Sequence, residues 1–362
     1  MRERILVLSI AAISVLAVLA EARKPGSEEI GTAAGALKSE SVIAKTTATL
    51  QTGDTIATDP NLKIAFIGDT GHGSSQQAVL SLIKSEGAQA VLHQGDFDYG
   101  DDPAGFWASV DNVLGPTFPY FASVGNHDMR SWPTTVHPSY AQFLEDRMER
   151  IGVKPDNTDL NGEKYSIEFR GLKVVFVGQE KTGDRVYAPY IQSQLKNDNH
   201  IWKVCSWHKN MAAMQVGGKI DEMGWGVYEA CKNAGAIIAT GHEHSYERTK
   251  TLVSIQNQTT DPESPDPNRL TVGPGKTFVF VSGLGGESIR IQKRCLPSTP
   301  PYGCKGEWAK IYTSNQQAKF GALFITFNVD GNPNKAHGYF KNIVGKVVDE
   351  FDINKDSGPA RP

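Results

Sequence analysis

The stretch Leu62-Lys63-Ile64-Ala65-Phe66-Ile67-Gly68-Asp69 decides how the chain is organised. Its first six residues are mostly apolar and suit a strand, and the Gly-Asp pair that follows ends it. The same punctuation returns twice. A strand over Ala90–His93 runs into Gln94-Gly95-Asp96, and one over Tyr120–Val124 runs into Gly125-Asn126-His127-Asp128. Helices are expected between them, near Ser74–Lys84 and Ala104–Leu114. Strands alternating with helices imply a sheet with crossover connections. Polar residues then gather at the carboxyl ends of strands, where α/β folds place their sites.

Further along, strands are expected at Lys164–Phe169, Leu172–Val177, Trp202–Ser206 and Ala236–Ala239. The character then changes. Thr277–Ser282, Ala322–Val329, Ala336–Phe340 and Lys346–Phe351 read as β segments joined by short turns such as Asp330-Gly331-Asn332-Pro333. A β-meander forming a second sheet accounts for them better than more crossovers. The predicted fold is α/β, a four-layer α/β/β/α sandwich of two mixed β-sheets flanked by helices, in one domain over residues 61–353. Residues 23–60, rich in Ala, Thr, Ser, Gly and Glu, read as a flexible linker, and 354–362 as a C-terminal tail.

Residues 1–22 read as a signal peptide. Arg2 and Arg4 precede an uncharged, mostly apolar run from Ile5 to Ala20, and Ala20-Glu21-Ala22 fits a cleavage site. An uncleaved anchor is the alternative, although the run is short of the roughly 20 apolar residues that a bilayer span needs. A secreted, periplasmic or extracellular location is therefore expected, with no membrane span after cleavage. The formal net charge of −3 exerts no global pull on nucleic acid or anionic membrane. A phosphorylated small molecule or protein would have to be held by local charge, with no nucleic-acid partner expected.

Of the four cysteines, Cys295 and Cys304 bracket a Pro- and Gly-containing loop that suits a local disulfide. Cys205 and Cys231 sit in apolar surroundings that suit buried thiols, and whether they are bonded stays open. The sequon Asn257-Gln258-Thr259 carries little weight, because such tripeptides also arise by chance.

The strand ends supply a series of donors. Asp69 comes first, then Asp96 with Tyr99, then Asn126 with His127 and Asp128; His208 and the pair His242 and His244 follow. Carboxylate, phenolate, amide oxygen and imidazole are ligands for iron, zinc and manganese. In an extended segment His242 and His244 point the same way, and a glycine before each Asp, Asn and His pair lets the backbone turn sharply. A lone Asp after a strand is ordinarily a turn or cap residue, and a lone His is ordinarily structural. Five such motifs in this order point instead to a metal site.

With these motifs the sequence resembles the calcineurin-like metallophosphoesterase superfamily, and within it the purple acid phosphatases. Asp69-Thr70-Gly71 stands where the wider superfamily has Asp-x-His. Tyr99 follows Asp96 at the position of that branch's tyrosinate, and His244-Ser245-Tyr246-Glu247-Arg248 matches the branch closely. The resemblance implies that Asp69, Asp96, Tyr99 and His244 hold a first metal, ferric iron. It also implies that Asp96 bridges to a second, divalent Fe, Zn or Mn held by Asn126, His208 and His242. A hard phenolate favours a hard trivalent ion, in agreement with that division. The implied activity is hydrolysis of phosphate monoesters by attack of a metal-bound hydroxide, with His127 acting on the phosphoryl oxygens or leaving group and Asp128 holding its ring. The alternatives are a phosphodiesterase or nucleotidase of the same superfamily with two divalent metals, and a metal-binding or adhesion module without catalysis.

Some features depart from the pattern. Val204-Cys205-Ser206-Trp207-His208 has one more residue between Val and His than is usual, and His72 offers an alternative ligand to Tyr99. Glu243 is expected to point away from the metals, and Tyr246, Glu247 and Arg248 to fix the loop. Gly283, Gly285 and Gly286 read as a plain turn. His93, His137, His200 and His337 receive no role, and Trp107, Trp132, Trp202 and Trp207 are expected to pack.

Overall fold

In the computed structural model, which describes residues 55–159, 163–178 and 183–356, the strand Leu62–Ile67 lies inside a seven-stranded sheet. Nearly all of its residues are buried, as a strand covered on both faces requires. It pairs in parallel with Ala90–His93, which pairs in parallel with Tyr120–Ala122. Its other edge is antiparallel to Gly321–Phe327, with Leu62 opposite Phe327. The expected signal peptide, most of the linker and the end of the tail fall outside the described residues. Ile56 and Asp59, at the end of the linker, already hydrogen-bond to Asn199 and Arg170, so the folded body includes them.

The helices follow their local chemistry. Ser74–Ser85 buries Gln76, Val79, Leu80 and Ile83, a stripe at helical spacing. Pro103–Leu114 starts with Asp102, whose side chain accepts from the Gly105 amide, and with proline at the first helical position. These two and Tyr140–Arg150 contribute Val79, Ile83, Phe106, Trp107, Val110 and Leu144 to the main core, together with residues of the first sheet.

The second sheet has eight strands in the spatial order Trp308–Tyr312, Tyr246–Thr249, Val279–Ser282, Ile237–Thr240, Trp202–Ser206, Leu172–Phe176, Lys164–Phe169 and Asp156–Asp159. Its strands alternate between two cores. Val174, Phe176 and Val204 face the main core, while Val175, Val177 and Cys205 face helices Gly183–Leu195 and Trp225–Asn233. Two mixed sheets packed together and flanked by helices are the expected architecture.

The assignment of the C-terminal strands differs from expectation. Gly321–Phe327, Lys335–Asn342 and Val347–Lys355 do form a meander, but it extends the first sheet beside Leu62–Ile67. Val279–Ser282 alone of that group enters the second sheet. Strand periodicity reports which face is buried but not which sheet the strand joins.

The segment Tyr246–Thr249 is a buried strand although it carries Glu247 and Arg248. Its charge is met from the opposite sheet: the Arg248 guanidinium donates to both oxygens of Asp349 at 2.7 and 3.0 Å, and the Tyr246 hydroxyl donates to the same carboxylate at 2.7 Å. The four named tryptophans are buried in the cores, as expected. Cys295 and Cys304 are bonded. So are Cys205 and Cys231, whose bonding the sequence leaves open: the strand Trp202–Ser206 is tied to the outer helix Trp225–Asn233.

Candidate metal centre

The donors converge at the carboxyl ends of strands from both sheets. His208 Nε2 lies 3.1 Å from Asp96 Oδ2 and 3.0 Å from His242 Nδ1. The Tyr99 hydroxyl lies 3.2 Å from Asp69 Oδ1, 3.3 Å from Asp96 Oδ2 and 3.0 Å from His244 Nε2. His244 Nε2 is in turn 3.3 Å from Asp69 Oδ1. Asp96 Oδ2 thus touches both groups, the position required of a bridge. Asp69, Asp96 and His242 have φ of 57°, 57° and 71°, a left-handed conformation that costs such residues about 1 kcal/mol or more. Strain gathered at three neighbouring donors marks a functional site.

Each imidazole has one nitrogen in the cluster and the other fixed. His208 Nδ1 donates to the Gln94 carbonyl at 2.7 Å, His242 Nε2 meets Glu222 Oε2 at 2.8 Å, and His244 Nδ1 meets Ser288 Oγ. Such outer partners orient metal-ligating histidines.

Electrostatics point the same way. Burial acts to raise the pKa of Asp96, but the charge and hydrogen bond of His208 hold it well below the carboxylate range. His208 is buried too, and Asp96 overrides that burial and lifts its pKa to about 9. Burial pushes the Tyr99 phenol far up, helped by Asp69 and Asp96, so only a strong neighbouring cation would make it a phenolate.

A family model described as calcineurin-like phosphoesterase matches residues 62–246, just over half of the chain. The chain belongs to the calcineurin-like phosphoesterase family. Within that family it is purple acid phosphatase-like. Purple acid phosphatase 21 of Arabidopsis thaliana is 24% identical over 227 residues, covering 59% of this chain and 50% of the relative. Purple acid phosphatase 18 of the same plant is 26% identical over 227 residues, covering 59% and 49%. The chain spans about half the length of these curated relatives. Among solved structures, a purple acid phosphatase from yellow lupin (Lupinus luteus) seeds superposes with a TM-score of 0.59 at 17% identity, covering 83% of this chain and 56% of that one. GAP50, the anchor in the inner membrane complex of Plasmodium, does so with a TM-score of 0.51 at 12% identity, covering 83% and 90%. At these identities the likenesses establish the fold alone.

The calcineurin-like phosphoesterase family implies a dinuclear metal centre, and the residues present fit one. Among the described residues Asn126 Oδ1 is buried without a hydrogen-bond partner, a costly state that a cation would relieve. Asp96, His208 and His242 offer donor atoms within 4.8 Å of one another. Asp69, Asp96 and Tyr99 supply oxygen donors that suit a harder ion, with the His244 imidazole beside them.

Other residues are placed differently from expectation. Asp128 does not hold the His127 ring. Its carboxylate accepts from the amides of Asp96, Phe97 and Gly125 at 2.9, 2.8 and 2.7 Å, clasping two ligand loops together. The His127 ring instead lies against Tyr99 with 4.3 Å between centroids, while its amide donates to Asp96 Oδ1 at 2.9 Å. His72 pairs with Asp98 at 2.9 Å, and Tyr99 occupies the cluster in its place. His93 has a structural task that was missed: its Nδ1 accepts from the Gly95 amide, its Nε2 meets Thr70 Oγ1, and its ring stacks on Phe97. Burial drops its pKa to about 3, so it is neutral. Its position just before Gln94-Gly95-Asp96 was the available signal.

Gly125 is needed for space, not for a turn. A Cβ there would lie 2.1 Å from the Asp96 amide nitrogen and 2.2 Å from Asp96 Oδ1. Gly283, read as part of a plain turn, is equally confined: its Cβ would lie 2.7 Å from Asp69 Oδ2.

Proposed function

We propose that this chain is an exported purple-acid-phosphatase-like enzyme that hydrolyses phosphate monoesters. The observation that carries this reading is Asp96 Oδ2 set between Tyr99 and His208, beside the unpartnered Asn126 Oδ1. In this reading Asp69, Asp96, Tyr99 and His244 hold ferric iron, and Asp96, Asn126, His208 and His242 hold a divalent Fe, Zn or Mn. The bound ions would neutralise phosphoryl charge and lower the pKa of a water in the site. The chain's own groups then position the ester. The exposed His127 ring, lying against Tyr99, hydrogen-bonds a phosphoryl oxygen and delivers a proton to the departing alkoxide oxygen. Asp128 acts indirectly, by keeping Asn126 and Asp96 in register.

Export is supported by the Arg2–Ala22 leader pattern and by two disulfides, which persist in oxidising compartments. Among the described residues no helix is long and apolar enough to cross a membrane.

The test is metal content and a visible spectrum on purified protein, with turnover of 4-nitrophenyl phosphate against bis(4-nitrophenyl) phosphate. Two metals, a charge-transfer band lost in Tyr99→Phe, and faster monoester turnover are expected. A colourless protein that prefers the diester would instead be a phosphodiesterase with two divalent ions. Two bound metals without hydrolysis would make it a binding module, an outcome that the fold shared with a Plasmodium anchor protein makes worth measuring. His127→Ala with both metals and full turnover would remove His127 from the reaction.

A further inference from the structure

Beside the ligand cluster lies a cavity of about 470 Å³, lined by Lys219, Glu243, Ile289, Arg290, Ile291 and Lys293. Short contacts tie its wall to the metal site. The Arg290 amide donates to the His244 carbonyl at 2.9 Å, and Arg290 Nη1 donates to the His242 carbonyl at 3.0 Å. Two residues earlier, Ser288 fixes the His244 ring. A substrate phosphate at the cluster would therefore have this cavity next to it.

Three cations there face one carboxylate, and they are not equivalent. Arg290 is engaged by Glu243, 3.5 Å away. Lys209, outside the lining, is compensated by Glu222 at 3.0 Å. Lys219 and Lys293 have no side-chain hydrogen bond or ion pair among the described residues. Lys219 is also half-buried, and burial and Arg290 push its pKa down against the weaker pull of Glu243, Asp69 and Glu222. An ammonium partly withdrawn from water with no carboxylate in direct contact carries a cost, which a bound anion would offset. Ile289 and Ile291 supply an apolar wall for a carbon skeleton between two charged groups.

We propose that this cavity is a specificity pocket for a second anionic group, phosphate or carboxylate, on the leaving part of a phosphate monoester, contacted by Lys219 and Lys293. The proposal rests on the phosphomonoesterase reading above. It predicts a preference for doubly anionic substrates over matched singly phosphorylated ones.

Two matched pairs separate the sources of the anion: fructose 1,6-bisphosphate against fructose 6-phosphate, and 3-phosphoglycerate against glycerol 3-phosphate. For each pair the readout is the ratio of kcat/KM values in the metal-loaded full chain. The native protein should favour the doubly anionic member of at least one pair, and the responding pair identifies the anion. In Lys219→Gln/Lys293→Gln that ratio should fall about tenfold, mainly through KM, as expected for two partly screened charge contacts. Lys219→Arg/Lys293→Arg should restore most of it, which a merely structural role would not require. A ratio near one in the native protein, or one unchanged in the Gln variant, overturns the pocket while leaving the phosphatase reading intact. Absence of turnover on every ester, 4-nitrophenyl phosphate included, overturns both.

Discussion

The Gly125–Asp128 loop and the Gly241–His244 loop each bring ligand candidates to the cluster, but they are held in different ways. The first carries its own clasp. Asp128 accepts from three backbone amides, two of them in the neighbouring loop after Ala90–His93, so Asn126 and Asp96 are set by one buried carboxylate. The second loop is held from outside. Glu222 meets His242, Ser288 meets His244, and Arg290 binds both of their carbonyls. The first arrangement stands or falls as a unit, whereas the second divides, with one outer partner for each metal half.

The strongest way to break this contrast is Gly125→Ala. The added Cβ would collide with the amide and carboxylate of Asp96, the bridging candidate. Both metals should be lost together, with turnover falling at least about 100-fold. A Gly125→Ala protein with two metals and near-native turnover would show that the loop is not a unit. Asp128→Asn should be milder. The amide nitrogen of Asn would face backbone donors, costing about 1–3 kcal/mol of stability and about 10- to 100-fold in affinity for both metals. Thermal melts with metal titration check it.

Glu222→Gln sharpens the other side. Among the ligand candidates His242 would lose its carboxylate partner, as would Lys209 outside the cluster, so affinity for the divalent site should fall by about tenfold while the Tyr99 site keeps its ion. Parallel loss of both ions would show the second loop to be as indivisible as the first. Metal analysis after graded chelation, with the visible band reporting the Tyr99 site, distinguishes the outcomes.

How much of this was legible in the sequence follows the same division. Donors that follow regular strands, such as Asp69, Asp96, Asn126 and His208, could be read because a strand end fixes where the next side chain goes. The clasp could not. Asp128 sits beside His127 in sequence, and proximity suggested a ring contact, but its three amide partners depend on how two loops stack. Glu222, Ser288 and Arg290 lie in irregular segments that carry no periodic signal, so nothing local announced them. The same limit governed the fold: the meander was visible by its alternation, but its attachment to Leu62–Ile67 is a long-range pairing. Tyr246–Thr249 was missed as a strand because the partner that satisfies Arg248, Asp349, lies about a hundred residues further on.

The smallest expected effect concerns a brace behind the second loop. Glu247 accepts from Ser245 Oγ at 2.6 Å and from the Val216 amide at 2.8 Å, steadying the residue after His244. Complete burial outweighs these two hydrogen bonds and pushes its pKa up to about 8. The folded state therefore holds a proton that the unfolded chain releases near its ordinary value of 4.5. The sign follows from linkage: this contribution is fully present below about pH 4.5 and is lost as pH rises through about 8. Glu247→Gln is neutral at every pH, so the difference in Tm between native and variant should change across that window. The change should correspond to a stability difference on the order of 1 kcal/mol, after relaxation around the buried group, with metal content unaltered. Parallel Tm curves from pH 5 to 9 would mean that Glu247 is already ionised in the fold. The second loop would then be braced by a buried charge, and the contrast with the carboxylate clasp of Asp128 would narrow.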